Sequence, residues 1–227
     1  MLQPQQWYVP QRDALRMLLA THAPLSPDPL CPELLVHRAR SLVGVWEAAE
    51  ALAGMTLPAP FWAYPWAGGS ALARVLLDSP ELVRGRSVLD FGAGGGIASV
   101  AAAWAGAASV VANDIDPWAL TVTGLAAERR DLRIETMSDD ICESPSLVDD
   151  FDVVLCSDLA YERSEAPRQR RVLDRAAANG ATVIVADAGR TYFDAGGMQQ
   201  LGEFQVDVPT DLEGVGSRTA RVYLLET

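Results

Sequence analysis

The chain has 227 residues, 49% of them hydrophobic, which allows one substantial core in one domain with a modest N-terminal addition and excludes two large domains. A formal charge of −12 excludes a phosphate-tracking surface, so no nucleic-acid partner is expected and a basic one fits better, although the same balance also serves solubility. Cys31, Cys142 and Cys156 lack C-x-x-C spacing and His22 and His37 lack neighbouring ligand patterns, which argues against a disulfide framework or a metal site and for a reducing, cytoplasmic setting.

Met1 to Tyr8 carries no basic segment leading into an apolar run, so no secretory signal is expected. A helix is expected over Gln11 to Ala20, a Pro-rich linker around Pro24 to Pro32, and a strand or helix near Leu34 to Leu52. Pro60 to Gly69 is dense in aromatics and leads into a helix from Ser70 to Leu77. From about Arg86 short β-branched runs alternate with Ala-rich helical segments, the pattern of a parallel sheet covered by helices. Strands are expected at Ser87 to Phe91, Ser109 to Asn113, Arg133 to Thr136, Phe151 to Cys156 and Ala181 to Ala186, with helices at Ile97 to Ala105, Pro117 to Arg129 and Glu165 to Ala178. The longest uncharged stretch, Ile97 to Asn113, turns at Gly106 and reads as helix then strand, not as a membrane span. After Asp187 two strand-like runs, Glu203 to Val208 and Thr219 to Leu225, flank a loop too short for a crossover helix, which predicts an antiparallel hairpin.

The chemistry starts at Val88-Leu89-Asp90-Phe91-Gly92-Ala93-Gly94-Gly95-Gly96, an apolar strand ending in an acid, then glycines, then a helix. Gly92 and Gly94 allow a sharp turn and close backbone approach to a ligand, and the helix beginning near Gly96 directs free N–H groups toward an anion. Asp90 discriminates between ligands: a carboxylate here repels a pyrophosphate but attracts, directly or through water, the ammonium of a methionine moiety. Asp114 lies 18 residues beyond Gly96 at the end of the next strand, where an acid accepts hydrogen bonds from both ribose hydroxyls. Together these point to S-adenosylmethionine, with S-adenosylhomocysteine as product, over a nicotinamide dinucleotide. Ile115 and Ser157 join the cofactor-binding candidates, as do Trp66 and Gly68 of the aromatic segment, where an aromatic face suits a sulfonium. Phe61 reads instead as a hydrophobic lid over the core. Asp139 and Asp140 follow the third strand and are candidates for the adenine amino group, or equally for helix or loop caps.

Cys156-Ser157-Asp158-Leu159-Ala160-Tyr161-Glu162 places polar residues at the carboxyl end of the fourth strand, where open α/β sheets bind ligands. Methyl transfer from a sulfonium is an in-line displacement and needs a neutral amine aimed at the methyl group. Asp158 and Glu162 are candidates to orient that amine and stabilise the positive charge left after transfer, and Tyr161 to supply a hydroxyl or an aromatic face. A helix cap for Asp158 and ordinary packing for Tyr161 are the alternatives.

From about Leu30 to its C-terminus the chain resembles the seven-strand methyltransferases of family 16, and within it the electron-transfer flavoprotein β-subunit lysine methyltransferases with their bacterial relatives. The resemblance is carried by Leu30-Cys31-Pro32-Glu33, Phe61 to Gly69, Asp90 to Gly96, Ala112 to Pro117, Asp158-Leu159-Ala160-Tyr161 and Ala186-Asp187-Ala188-Gly189-Arg190. It implies an α/β, Rossmann-like seven-stranded sheet with the last strand antiparallel, residues 61–227 forming the methyltransferase domain and residues 1–60 an extension packed on it. It also implies cofactor contacts from Asp90, Gly92, Gly94 and Asp114, and a D-x-x-Y acceptor motif at Asp158 and Tyr161. Relatives often place Phe before that Tyr, where this chain has Ala160, a change that could enlarge the acceptor cleft; their Trp-Pro-Gly-Gly stands here as Trp66-Ala67-Gly68-Gly69.

The expected activity is N-methylation of lysine on a protein such as the electron-transfer flavoprotein β-subunit, by a monomer with no membrane partner. The alternatives are N-methylation of a small heterocyclic amine and a non-catalytic protein that binds S-adenosylmethionine.

Overall fold

The computed structural model describes residues 10–226; Met1 to Tyr8, read above as lacking a secretory signal, lies outside the described residues. In chain order come α1 (Arg12–His22), β1 (Leu25–Pro27), β2 (Leu35–His37), α2 (Leu42–Ala53), α3 (Ala67–Asp78), β3 (Ser87–Phe91), α4 (Ile97–Trp104) and β4 (Ser109–Asn113). They are followed by α5 (Pro117–Glu128), β5 (Glu135–Met137), β6 (Val153–Ser157), α6 (Ala166–Ala178), β7 (Thr182–Asp187), β8 (Met198–Asp207), α7 (Thr210–Glu213) and β9 (Ser217–Leu225).

Seven strands form one sheet in the order β5-β4-β3-β6-β7-β9-β8. The first five are parallel, while β9 pairs antiparallel with both β7 and β8, so the last strand alone runs against the rest. The central strands β3, β6 and β7 are short and buried almost throughout because helices cover both faces. Val88, Val153, Leu155 and Ile184 share one core with α3 and α4, whereas Leu89, Phe91, Val154, Val183 and Val185 share another with α6. This alternation turns Asp90 toward α4, so the acid of the glycine loop lies under that helix.

α1 and α2 pack through Leu15, Leu19, Val45 and Ala49, a satellite core that reaches α5 where Trp62 stacks on Trp118 at 5.7 Å. The expected Pro-rich linker instead holds β1, paired antiparallel with β2. Buried Asp28 closes the intervening turn by accepting N–H bonds from Leu30 and Cys31, and takes the hydroxyl of Ser70 on α3. The segment from Leu34 to Leu52 divides into a strand and a helix, which Ser41 caps through the N–H of Gly44.

Other boundaries moved for identifiable reasons. The fifth strand runs over Glu135–Met137, not Arg133 to Thr136, because its register is set by pairing with Val111 to Asn113. α3 starts at Ala67, taking both glycines into its first turn. The terminal hairpin is present, but β8 begins at Met198, well before Glu203, and α7 fills the turn. The β7–β8 connection, residues 188–197, contains no helix. Among the described residues no helix is long and apolar enough to cross a membrane, and no group of three potential metal ligands occurs.

Candidate active site

The glycine loop connects β3 to α4 through three left-handed residues, Gly92, Gly94 and Gly96, with φ of 73°, 53° and 78°. A Cβ on Gly92 would overlap the Leu159 side chain, so this glycine lets the acceptor loop lie directly on the cofactor loop. At Gly94 a Cβ would point into open space, within a cleft lined by His37, Trp66, Gly69, Ile97 and Ser157. The amides of this loop are mostly engaged within the protein. Gly92 and Ala93 donate to the carbonyl of Asn113 at 2.9 and 2.8 Å, and Gly94 donates to Asp114 Oδ2 at 2.8 Å. At Gly92 and Gly94 the loop therefore presents bare glycine surface, its shape fixed by β4, and the free N–H groups expected of the helix belong to the first turn of α4 from Ile97 on.

Asp90 is almost wholly buried, and its Oδ2 accepts the Ser99 hydroxyl of α4 at 2.5 Å. Burial pushes its pKa up to about 6, opposed by Ser99 and assisted by the nearby charge of Asp114. Asp90 thus sits behind the loop and braces α4. Asp114 spends one oxygen on Gly94 N–H and the other on Asp116 N–H at 2.9 Å, leaving a lone pair on each for a diol. Burial also raises its pKa, against those two backbone bonds. Ile115 beside it is 56% exposed, an apolar side chain next to the acid. Asp139 and Asp140 are both exposed. Asn113 Nδ2 holds this turn through the carbonyls of Met137 and Asp139, and Asp140 Oδ1 caps Cys142 N–H at 2.9 Å, which gives Asp140 the capping role weighed for it. The donor set suits S-adenosylmethionine: a diol acceptor at Asp114, an open face at Gly94 and an apolar neighbour at Ile115.

Gly68 does not line this cleft; its neighbour Gly69 does. Instead Gly68 N–H donates to Asp158 Oδ2 at 2.6 Å, and a Cβ there would collide with that carboxylate. Gly68, expected as a cofactor contact, serves the acceptor loop instead: its missing side chain lets Asp158 cap α3. Asp158 is a left-handed non-glycine residue, φ 53°, held by the contacts of its side chain. Its Oδ1 accepts Ala188 N–H at 3.1 Å and Arg190 Nε at 3.0 Å, and only 6% of the side chain is exposed. Burial raises its pKa, countered first by Arg190. The reading of Asp158 as a carboxylate facing the amine is corrected as well, because its oxygens are engaged inside the protein.

Tyr161 is 45% exposed, its ring 5.5 Å from that of Phe61, which meets Trp66 edge-on at 5.7 Å. The three rings join the acceptor loop to the segment before α3. Phe61 is therefore an exposed part of this cluster and not a core lid; its neighbour Trp62 fills the core. Trp66 is fixed by its indole N–H to the Phe61 carbonyl at 2.9 Å. Glu162 is exposed at the end of the loop.

Two residues escaped the sequence reading of the site. Arg190, 5.2 Å above the Trp66 ring, links Asp158 to Glu213 of α7 at 3.2 Å, and Arg218 adds a second bond to Glu213 at 3.1 Å. Asp158 and Glu213 lie 32 and 23 residues from Arg190 in sequence, and the available signal was that Arg190 ends the Ala186 to Arg190 landmark.

A family model described as ribosomal protein L11 methyltransferase (PrmA) matches residues 72–164. In solved structures, a Pyrococcus horikoshii protein assigned as an RNA methyltransferase is similar with a TM-score of 0.55 at 17% identity, covering 75% of this chain and 91% of the other. A 16S rRNA methyltransferase of T. thermophilus, solved with AdoMet and guanosine, has a TM-score of 0.51 at 20% identity over 71% of this chain and 43% of its own. Both support the fold. The electron transfer flavoprotein beta subunit lysine methyltransferase of Danio rerio is 35% identical over 73% of this chain, and the match spans 66% of that protein, just under two thirds. The Xenopus laevis protein of the same name is 30% identical over 96% of this chain and 90% of its own length. With nearly the whole of both sequences aligned, the chain belongs to the family of electron transfer flavoprotein beta subunit lysine methyltransferases.

Proposed function

We propose that this chain transfers methyl groups from S-adenosylmethionine to lysine side chains of a protein, with the electron transfer flavoprotein β-subunit as acceptor. The observation that carries the reading is the meeting of Leu159 of the acceptor loop with Gly92, in a chain of this family, with Tyr161, Phe61 and Trp66 joined beside the open face of Gly94. The cofactor supplies an electrophilic methyl on a sulfonium. Asp114 holds the ribose hydroxyls, Ile115 and the turn at Asp139 and Asp140 border the adenine, and Asp90 fixes α4 beneath the methionine end. Ser157, Gly92, Gly94 and Trp66 shape the remaining walls, while Gly96, whose bare Cα makes room for Thr123, sets the start of α4. Tyr161 and Phe61 flank the lysine chain and align its amine for in-line attack, while exposed Glu162 stabilises the ammonium that results. Asp158 keeps Tyr161 in place by tying the loop to α3 and Arg190. Residues 61–227 carry this chemistry and residues 1–60 brace it, in a cytoplasmic monomer.

Incubating the chain with methyl-labelled S-adenosylmethionine and host lysate tests the proposal. A discrete labelled protein band, lost in Tyr161→Ala, is expected; label confined to small molecules would reject the protein acceptor.

A further inference from the structure

A cavity of about 430 Å³ lies between the acceptor loop, the first turns of α6 and the helix-free β7–β8 connection. Its walls are largely apolar, from Cys156, Leu159, Leu173, Val185, Phe193 and Met198. It shares no lining residue with the glycine-loop cleft, and Leu159 stands between the two, covering Gly92 while lining the cavity. Ala160 belongs to this second cavity, so the space left by its small side chain lies toward α6.

Two polar side chains in the wall have unmet acceptors. Asp187 is 4% exposed; its Oδ1 accepts Gly189 and Arg190 N–H at 2.7 and 2.8 Å, while its Oδ2 is buried without a partner. Gln169 Oε1 is likewise buried and unpartnered. Among the cationic residues here, Arg170 is held by Asp174 at 2.7 Å and by the Asp194 carbonyl at 3.4 Å, and Arg163 is exposed. Uncompensated acceptors in an apolar wall select a ligand that brings donors, and a carboxylate beside them favours a cationic donor. A cavity of this volume matches one aromatic ring with a short chain.

We propose that the cavity beneath the acceptor loop is a second binding site, for a small organic amine whose apolar body fills the space beside Ala160 and whose ammonium group meets Asp187 and Gln169. Because Leu159 separates it from the glycine loop, the amine is bound there and not methylated.

Calorimetric titration of the full chain with 2-phenylethylamine and with 3-phenylpropanoate tests this. The amine should bind one per chain, and the carboxylate, which brings no donor, should not. Asp187→Asn keeps an oxygen for the two backbone donors and replaces the free acceptor by an amide donor; it should weaken the amine by about ten-fold or more. Ala160→Phe should abolish binding by filling the cavity, and melting temperatures report whether either variant folds. The contrast between amine and carboxylate in the unaltered chain decides the matter even if a variant does not fold. Equal binding of the two probes, no effect of a folded Asp187→Asn, or methylation of the amine once S-adenosylmethionine is added would each overturn the proposal.

Discussion

Asp90, Asp116 and Asp187 are carboxyl groups that burial pushes from an ordinary 3.8 up to about 6. Between those values the folded chain binds protons that the unfolded chain has already released, so folding stability falls as pH rises through the window. The carboxylates with lowered values, such as Asp149 beside Arg175 and Asp152 beside Ser87, act in the opposite sense but only below 3.8. The ligand-free chain should therefore melt higher at pH 5.5 than at pH 7.5, a trend on the order of 1 kcal/mol for Asp90 alone. Asp90→Asn preserves an acceptor for Ser99 and should reduce that trend in a thermal melt while Asp116 and Asp187 sustain the rest; a melting point of the unaltered chain that climbs from pH 5.5 to 7.5 would contradict it. The loop glycines separate packing from binding. Gly92→Ala forces a methyl into Leu159 and should cost about 1–3 kcal/mol of stability together with affinity for S-adenosylhomocysteine. Gly94→Ala meets no protein atom and should cost about 1 kcal/mol from its positive φ, while binding weakens at least as much as in Gly92→Ala. Paired denaturation and calorimetry on the two variants provide the check.

At the scale of elements, the acceptor loop is anchored on one side and open on the other. Asp158 ties β6 to α3 through Gly68, to the end of β7 through Ala188, and to α7 through Arg190 and Glu213. Removing one partner of a buried pair leaves the other charge uncompensated, so Asp158→Ala should lose about 3–5 kcal/mol in denaturant titration as well as methyl transfer. Tyr161→Phe removes only a hydroxyl from a half-exposed ring; methyl transfer should fall several-fold with stability within about 0.5 kcal/mol. Equal destabilisation by both changes would mean that the loop is not anchored at Asp158. This contrast also marks what the sequence could reveal. Strand positions, the glycine loop and the acid following β4 were legible because each is a local pattern: a short β-branched run, glycine where φ is positive, an acid at a strand end. The saturation of Asp158 was not legible, since its partners lie 30 to 90 residues away and are brought together only by sheet order. The Pro-rich segment misled for a related reason: β1 forms because Asp28 finds Ser70 on α3, a contact with no local signature.

For the whole molecule, the net charge of −12 and the absence of lysine act on the same reaction. Every one of the 18 basic residues is Arg, so a lysine methyltransferase of this sequence presents no acceptor side chain to its own active site or to a second copy. In the labelled-lysate assay its own band should stay dark, and label there would point to another nucleophile. The acidic surface, in turn, attracts a basic protein over distances set by the ionic atmosphere, about 10 Å at 0.1 M salt and 3 Å at 1 M. Encounter with a protein acceptor should weaken as salt is raised, whereas S-adenosylhomocysteine meets a cleft whose contacts are short-ranged. Raising sodium chloride from about 0.05 to 0.5 M should therefore increase KM for the protein acceptor several-fold and leave kcat and the affinity for S-adenosylhomocysteine nearly unchanged. If instead kcat falls while KM holds, salt is acting on a buried network such as Asp158–Arg190–Glu213, and the surface charge serves solubility alone.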